Sequence, residues 1–205
     1  MIVLNGGSYY PESEEVDLAW ISKISKDDLI MFIPAATTRS KEEYYRFFKQ
    51  KMSCYNLENI EYVDLYTEWK RARDARVLYI GGGNTYKLMD IVRKSGFGDF
   101  LKSERDKRII VGNSAGAVVL GSDIRTTNDN DITGVEDTNG VGLVEYSICT
   151  HYSNDKEDRL VNLSKILPYG IMGIAEKSGM VIENKITRKI GLTKEIGFTK
   201  EIVYN

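Results

Sequence analysis

Short, unbroken apolar runs alternate along the chain with stretches whose apolar residues recur every third or fourth position. The runs lie at 1–4, 29–33 (stopped by Pro34), 60–63, 77–80 and 109–111. Apart from Glu61 in the third, they are apolar throughout rather than at every second residue, so they read as strands buried on both faces. Between them, Val16, Trp20 and Ile24 share one helical face after Ser13, a candidate cap, and Tyr44, Phe48 and Met52 mark a second helix. Tyr86, Met89 and Val92 mark a third, with Asn84 or Thr85 at its start. Shorter helices are predicted over 65–75 and 96–104. A further one spans 158–167, where Leu160, Leu163 and Leu167 stay in register ahead of Pro168. Residues 121–142 are rich in Thr, Asn, Asp and Gly and read as a loop excursion or lid. Strands return at 143–150, 171–175, 180–182 and 185–191, followed by a final hairpin.

Strands alternating with helices define an α/β fold with a mostly parallel sheet covered by helices on both faces. In such sheets, chemistry collects just beyond the carboxyl ends of the strands. Two glycine-bearing turns fall at such ends, Gly81-Gly82-Gly83-Asn84-Thr85 and Gly112-Asn113-Ser114-Ala115-Gly116.

Composition narrows the class. The 205 residues suit one domain over 1–205, with 42% hydrophobic and 28% charged residues as in ordinary globular proteins. A formal net charge of -2 gives no reason to expect nucleic acid or an anionic membrane as partner. No run reaches membrane-spanning length, and the chain opens on a strand-like run, so neither a membrane span nor a secretory leader is expected. Cys54 and Cys149 match no metal or redox spacing, which makes a reducing cytoplasm the simplest location.

Glycines two before and two after Ser114 allow a tight strand-to-helix turn that pushes the serine out of the sheet. The bland alternative is a tight turn with a small residue packed beneath it. A nucleophilic serine needs a base, and His151 is the one histidine in the chain, placed where a strand is predicted to end. The base needs an acid to orient it. Glu176 follows the 171–175 strand, and Asp129, Asp131 and Asp155 are rivals. The triple glycine lacks the last glycine of a dinucleotide fingerprint, and no Gly-Lys-Ser/Thr follows it, so it is not a phosphate loop. Its N–H groups at Gly82 or Gly83 suit an oxyanion hole, paired with that of Ala115. Asp129 to Gly134 begins like a calcium loop, but the twelfth position is Gly140 rather than a bidentate Glu, and no metal is expected.

The glycine–asparagine–threonine turn, the Gly112-Asn113-Ser114-Ala115-Gly116-Ala117 elbow, His151-Tyr152-Ser153 with Arg159-Leu160, and Gly173-Ile174-Ala175-Glu176 together resemble the serine peptidase family of aspartyl dipeptidase and cyanophycinase. The resemblance covers about residues 77–183. It implies a flavodoxin-like fold related to the class I glutamine amidotransferases, and a Ser-His-Glu triad carried by Ser114, His151 and Glu176, with Asp129 as the alternative acid. It also implies hydrolysis of short peptides, dipeptidase-like, through an acyl-enzyme and without a cofactor; a homodimer is left open. Asn84, Thr85 and Arg159 are candidate substrate contacts. The basic residue that would read an N-terminal aspartate is not fixed among Arg159, Lys165, Arg39 and Arg125. An esterase or amidase with the same triad, or a silent member that binds a peptide or metabolite, stands as the alternative. A loop over the site would favour short substrates.

Overall fold

The computed structural model describes residues 1–37 and 40–197; the Arg39 candidate and any hairpin beyond residue 197 lie outside them. The strand β1 (Ile2–Asn5) leads through helix α1 (Glu14–Ile21) to β2 (Ile30–Ile33), then through α2 (Lys41–Ser53) to β3 (Ile60–Tyr62). A 3₁₀ turn at Trp69–Asp74 stands where a short helix was expected. It leads to β4 (Val77–Ile80), α3 (Thr85–Lys94), α4 (Phe97–Glu104), β5 (Ile109–Asn113) and α5 (Ala115–Leu120). After a long loop come β6 (Ser147–Thr150), α6 (Glu157–Ser164), β7 (Ile171–Ile174), β8 (Gly179–Glu183), β9 (Ile186–Ile190) and β10 (Thr193–Ile196).

Seven strands form one sheet in the order β3-β2-β4-β5-β1-β8-β9. The pairs from β3 to β1 are all parallel, while β8 runs antiparallel to β1 and β9 antiparallel to β8. β2 to β5 therefore follow the flavodoxin-like order, with β1 seated beside β5. Alternate residues of each buried strand serve opposite faces. Ile30 and Phe32 join Val16, Trp20, Tyr44, Phe48 and Met52 under α1 and α2. Met31 and Ile33 join Leu88, Phe97, Leu101 and Val118 under α3, α4 and α5. The stacked Phe32 and Phe48 rings, 4.2 Å apart, anchor α2.

The strands expected at 180–182 and 185–191 are β8 and β9, an antiparallel hairpin that extends the main sheet, and the final hairpin expected after them is not formed by β10 within the described residues. β10 does not pair with β9. It runs antiparallel to β7, which lies parallel to β6, in a second sheet of order β10-β7-β6. Ile148, Met172 and Ile174 of this second sheet pack into the same apolar layer as α5. The ends of β6 and β7 thereby come up against the end of β5.

Side-chain caps set the starts of two helices. Asn84 caps α3, its side-chain oxygen accepting the Lys87 N–H at 3.0 Å, and Ser40 caps α2 by accepting from Glu43. Ser13 does not cap α1. Its hydroxyl donates instead to Asp17 at 2.7 Å, because Asp17 is buried and needs partners.

Candidate active site

Ser114 sits between β5 and α5 with φ 52° and ψ −119°, a backbone conformation that side-chain-bearing residues seldom adopt. Two glycines make the turn possible. A β-carbon on Gly112 would lie 2.6 Å from the Gly116 carbonyl, and one on Gly116 would overlap the carbonyl of Ile80. The Ser114 N–H is fixed by the carbonyl of Asn5 at 3.1 Å, so the turn is tied to β1 and the hydroxyl points out of the sheet.

His151 follows β6 directly, also at positive φ (51°), and its N–H donates to the Gly6 carbonyl at 2.9 Å. Lys156 donates to the His151 carbonyl, which holds the turn from the other side. The imidazole Nε2 lies 2.7 Å from the Ser114 hydroxyl. Its Nδ1 lies 2.9 Å from a carboxylate oxygen of Glu176, which stands two residues beyond β7. Serine, imidazole and carboxylate thus form one hydrogen-bonded chain across the seam between the two sheets. Ser114 is half-buried, whereas the Glu176 side chain keeps 58% of its surface in solvent.

Of the three expected oxyanion donors, Gly82 has its N–H directed to the Tyr44 hydroxyl at 3.1 Å. Among the described residues, no acceptor faces the N–H of Gly83 or of Ala115. Gly83 holds φ 137° with the Ala36 carbonyl packed where a side chain would begin, so only glycine fits there.

The remaining candidates are occupied elsewhere. Asp129 makes no hydrogen bond to His151: its carboxylate accepts from the Thr85 N–H at 2.7 Å and the Thr85 hydroxyl at 2.6 Å. Thr85 is 1% exposed, and Asn84 spends its amide on the Asn130 carbonyl at 2.9 Å. Arg159 points its guanidinium at the carbonyls of Arg125, Thr126 and Thr127 and at Asn128. Asn84, Thr85 and Arg159 thus hold the 121–142 loop through these bonds. Arg125 is clamped by Asp123, with contacts from 2.8 Å, and Lys165 reaches Asn162 on the surface.

A cavity of about 580 Å³ opens at Ser114 and His151. Its walls come from Gly7 to Glu12, Gly82, Gly83 and Glu176, and no residue of the 121–142 loop lines it. The 7–12 wall is what the sequence reading missed. Its signal was present in Gly6-Gly7, since a β-carbon at Gly7 would overlap the His151 ring and one at Gly6 would overlap the Ala175 carbonyl. A larger cavity of about 720 Å³ lies at the opposite end of β1, lined by Met1, Ile2, Arg105 and Glu183 among others, far from this chain of groups.

A serine on a strand-to-helix elbow at the carboxyl end of a mostly parallel sheet, bonded to an imidazole bonded to a carboxylate, defines the serine hydrolase class of site. A sequence model of Peptidase family S51 matches residues 1–190, and the chain belongs to that family. Relatives called Peptidase E include one from Haemophilus influenzae (strain PittGG), 28% identical over 93% of this chain and 88% of its own length. Another, from Actinobacillus pleuropneumoniae serotype 5b (strain L20), is 30% identical over 76% of this chain and 69% of its own. One from Shewanella denitrificans is 33% identical over 60% of this chain, where the match spans only 54%, about half, of that relative. Among solved structures, a peptidase E protein from Listeria monocytogenes EGD-e superimposes with a TM-score of 0.74 at 20% identity, covering 95% of this chain and 98% of that one. A peptidase from an acI-B1 Actinobacterium gives 0.63 at 19% identity, covering 96% of each chain. At such identities the two structures speak for the fold, an α/β fold with a mostly parallel sheet.

Proposed function

We propose that the chain is a serine peptidase that hydrolyses short peptides, dipeptidase-like, through an acyl-enzyme on Ser114. The observation that carries this reading is the continuous chain from the Ser114 hydroxyl to His151 at 2.7 Å and from His151 to Glu176 at 2.9 Å. An ionised carboxylate only accepts hydrogen bonds, so a proton on Nδ1 faces Glu176 and leaves Nε2 free to take the serine proton. Ser114 attacks the scissile carbonyl as its proton passes to Nε2. The tetrahedral oxyanion rests on the N–H groups of Gly83 and Ala115, at roughly 3–4 kcal/mol per donor. His151 then gives its proton to the leaving amine, the C–N bond breaks, and the acyl-enzyme remains. Water, deprotonated by the same imidazole, attacks the ester and releases the acid with Ser114 restored.

Family membership supports peptide bonds as the target, as do relatives called Peptidase E. A cavity of about 580 Å³ between the 7–12 wall and the glycine turn supports short substrates, being of the size that takes a small ligand. No described helix is long and apolar enough to cross a membrane. With Cys54 and Cys149 both unpaired, the reducing cytoplasm stays our reading of location. The test is a panel of dipeptides, tripeptides and simple acyl esters with wild type and Ser114→Ala. We expect dipeptide hydrolysis by the wild type and its loss, by 10³-fold or more, in the variant (an order of magnitude from triad removals). Wild-type turnover of esters alone, or peptide turnover that survives Ser114→Ala, contradicts the reading.

A further inference from the structure

Tyr44 lies on the first turn of α2, remote in sequence from Gly82, Ser114, His151 and Glu176, yet its side chain reaches the triple-glycine turn. The ring is 6% exposed and packs edge-on against Phe32 with centroids 5.0 Å apart, which fixes where the hydroxyl stands. That hydroxyl accepts the N–H of Gly82 at 3.1 Å. The turn is built around it: a β-carbon on Gly81 would come within 3.0 Å of the Tyr44 ring and 3.1 Å of its hydroxyl. On its other side Gly82 abuts the nucleophile, since a β-carbon there would lie 3.2 Å from that of Ser114. A glycine turn has little torsional preference of its own, so something outside it must choose the orientation of its peptide planes.

We propose that Tyr44 is a positioning residue for oxyanion stabilisation, its hydroxyl anchoring the Gly82 N–H so that the next N–H, that of Gly83, is held for the substrate. The Gly82 N–H is already satisfied, and the Gly83 N–H faces no acceptor among the described residues. The Gly82 N–H fixes the Gly81–Gly82 peptide, the Asn84 N–H donates to the Ala36 carbonyl at 3.2 Å beyond Gly83, and the peptide carrying the Gly83 N–H is held between these two anchors. Burial, reinforced by the neighbouring Tyr9 phenol, holds the Tyr44 hydroxyl above the usual phenol range, so it stays neutral and does not place a negative charge behind the hole. Preorganised donors work because they need no reorientation when charge develops, and a freely turning triglycine would forfeit that advantage. The assignment rests on the peptidase reading above.

The experiment compares wild type and Tyr44→Phe, which keeps the ring and removes only the acceptor. Kinetics are read on a dipeptide, together with inhibition by a peptide boronate, which forms a tetrahedral adduct on serine, and by the product amino acid, which does not. We expect kcat to fall about ten- to a hundredfold with KM little changed, somewhat less than for loss of a donor itself. Boronate affinity should fall by a similar factor while product affinity holds. A kcat that is unchanged or higher, or an equal loss of affinity for both inhibitors, overturns the assignment. If Tyr44→Phe does not fold, Gly81→Ala presses on the same ring from the turn and must give the same split between the two inhibitors. A wild type with no Ser114-dependent peptidase activity removes the reading beneath the proposal; a normal wild type beside an unaffected Tyr44→Phe removes the Tyr44 assignment alone.

Discussion

Gly7 has no side chain, and the ring of His151 occupies the space that one would need. With φ at 127°, the residue sits where an L side chain is strained as well as crowded. Gly7→Ala is therefore expected to push the imidazole off the Ser114 hydroxyl. A displacement of about 1 Å in a catalytic group costs on the order of 100-fold in rate. The check is kcat on a dipeptide with the thermal midpoint measured alongside, and a fully active, well-folded variant would refute the link. At this scale the sequence marked Ser114, His151 and Glu176 as candidates, because a serine between spaced glycines, a sole histidine and a carboxylate after a strand each carry a local signal. Gly7 carried no such mark, and Tyr44 was marked only as part of a helix face. Their significance lies in what they touch across the fold, His151 from 144 residues away and Gly82 from 38 away.

At the scale of elements, apolar runs and helical periodicity placed every strand of the parallel core within a residue or two. They did not reveal that β6 and β7 leave the main sheet. Both are four-residue strands buried throughout, and such runs say that a strand is covered without saying which sheet it joins. The 121–142 loop was legible as an excursion, but its role was not. Asp129 ties it to the start of α3, through the Thr85 N–H and hydroxyl, while of Glu176, Asp129, Asp131 and Asp155 only Glu176 bonds to the imidazole. Glu176→Gln and Asp129→Asn should therefore part company. The first should lower kcat by about ten- to a hundredfold, less than for a buried triad acid because solvent screens a carboxylate 58% exposed. The second should leave kcat within about threefold and instead lower the thermal midpoint by a few degrees, as loss of part-buried hydrogen bonds does. Steady-state kinetics and thermal unfolding of both variants decide it, and the opposite pattern would assign the acid to Asp129.

For the whole molecule, the site exists only where two sheets meet. Ser114 comes from the main sheet, His151 and Glu176 from the ends of the second, and the tip of β1 joins them through Gly6, which donates to Ser178 and accepts from His151. The face away from this seam holds an internal charge pair, Lys51 with Asp17 at 2.8 Å, with side chains 3% and 1% exposed. Ser13 donates to the same carboxylate, and the Lys51 ammonium lies 5.7 Å from the centre of the Tyr79 ring. Removing one member strands a buried charge. Lys51→Met should destabilise the fold by about 3–5 kcal/mol, whereas the double variant Asp17→Leu/Lys51→Met should recover most of it. Urea denaturation of the pair measures both, and equal losses in the single and double variants would show that packing rather than charge is at stake.

The most direct measurement of the central claim is covalent. Intact protein treated with a fluorophosphonate should gain the mass of one adduct, mapped by peptide mass spectrometry to Ser114. His151→Ala should label far more slowly, because the hydroxyl has lost its base. Folded wild-type protein that takes no label, or that takes it at another residue, would contradict the account.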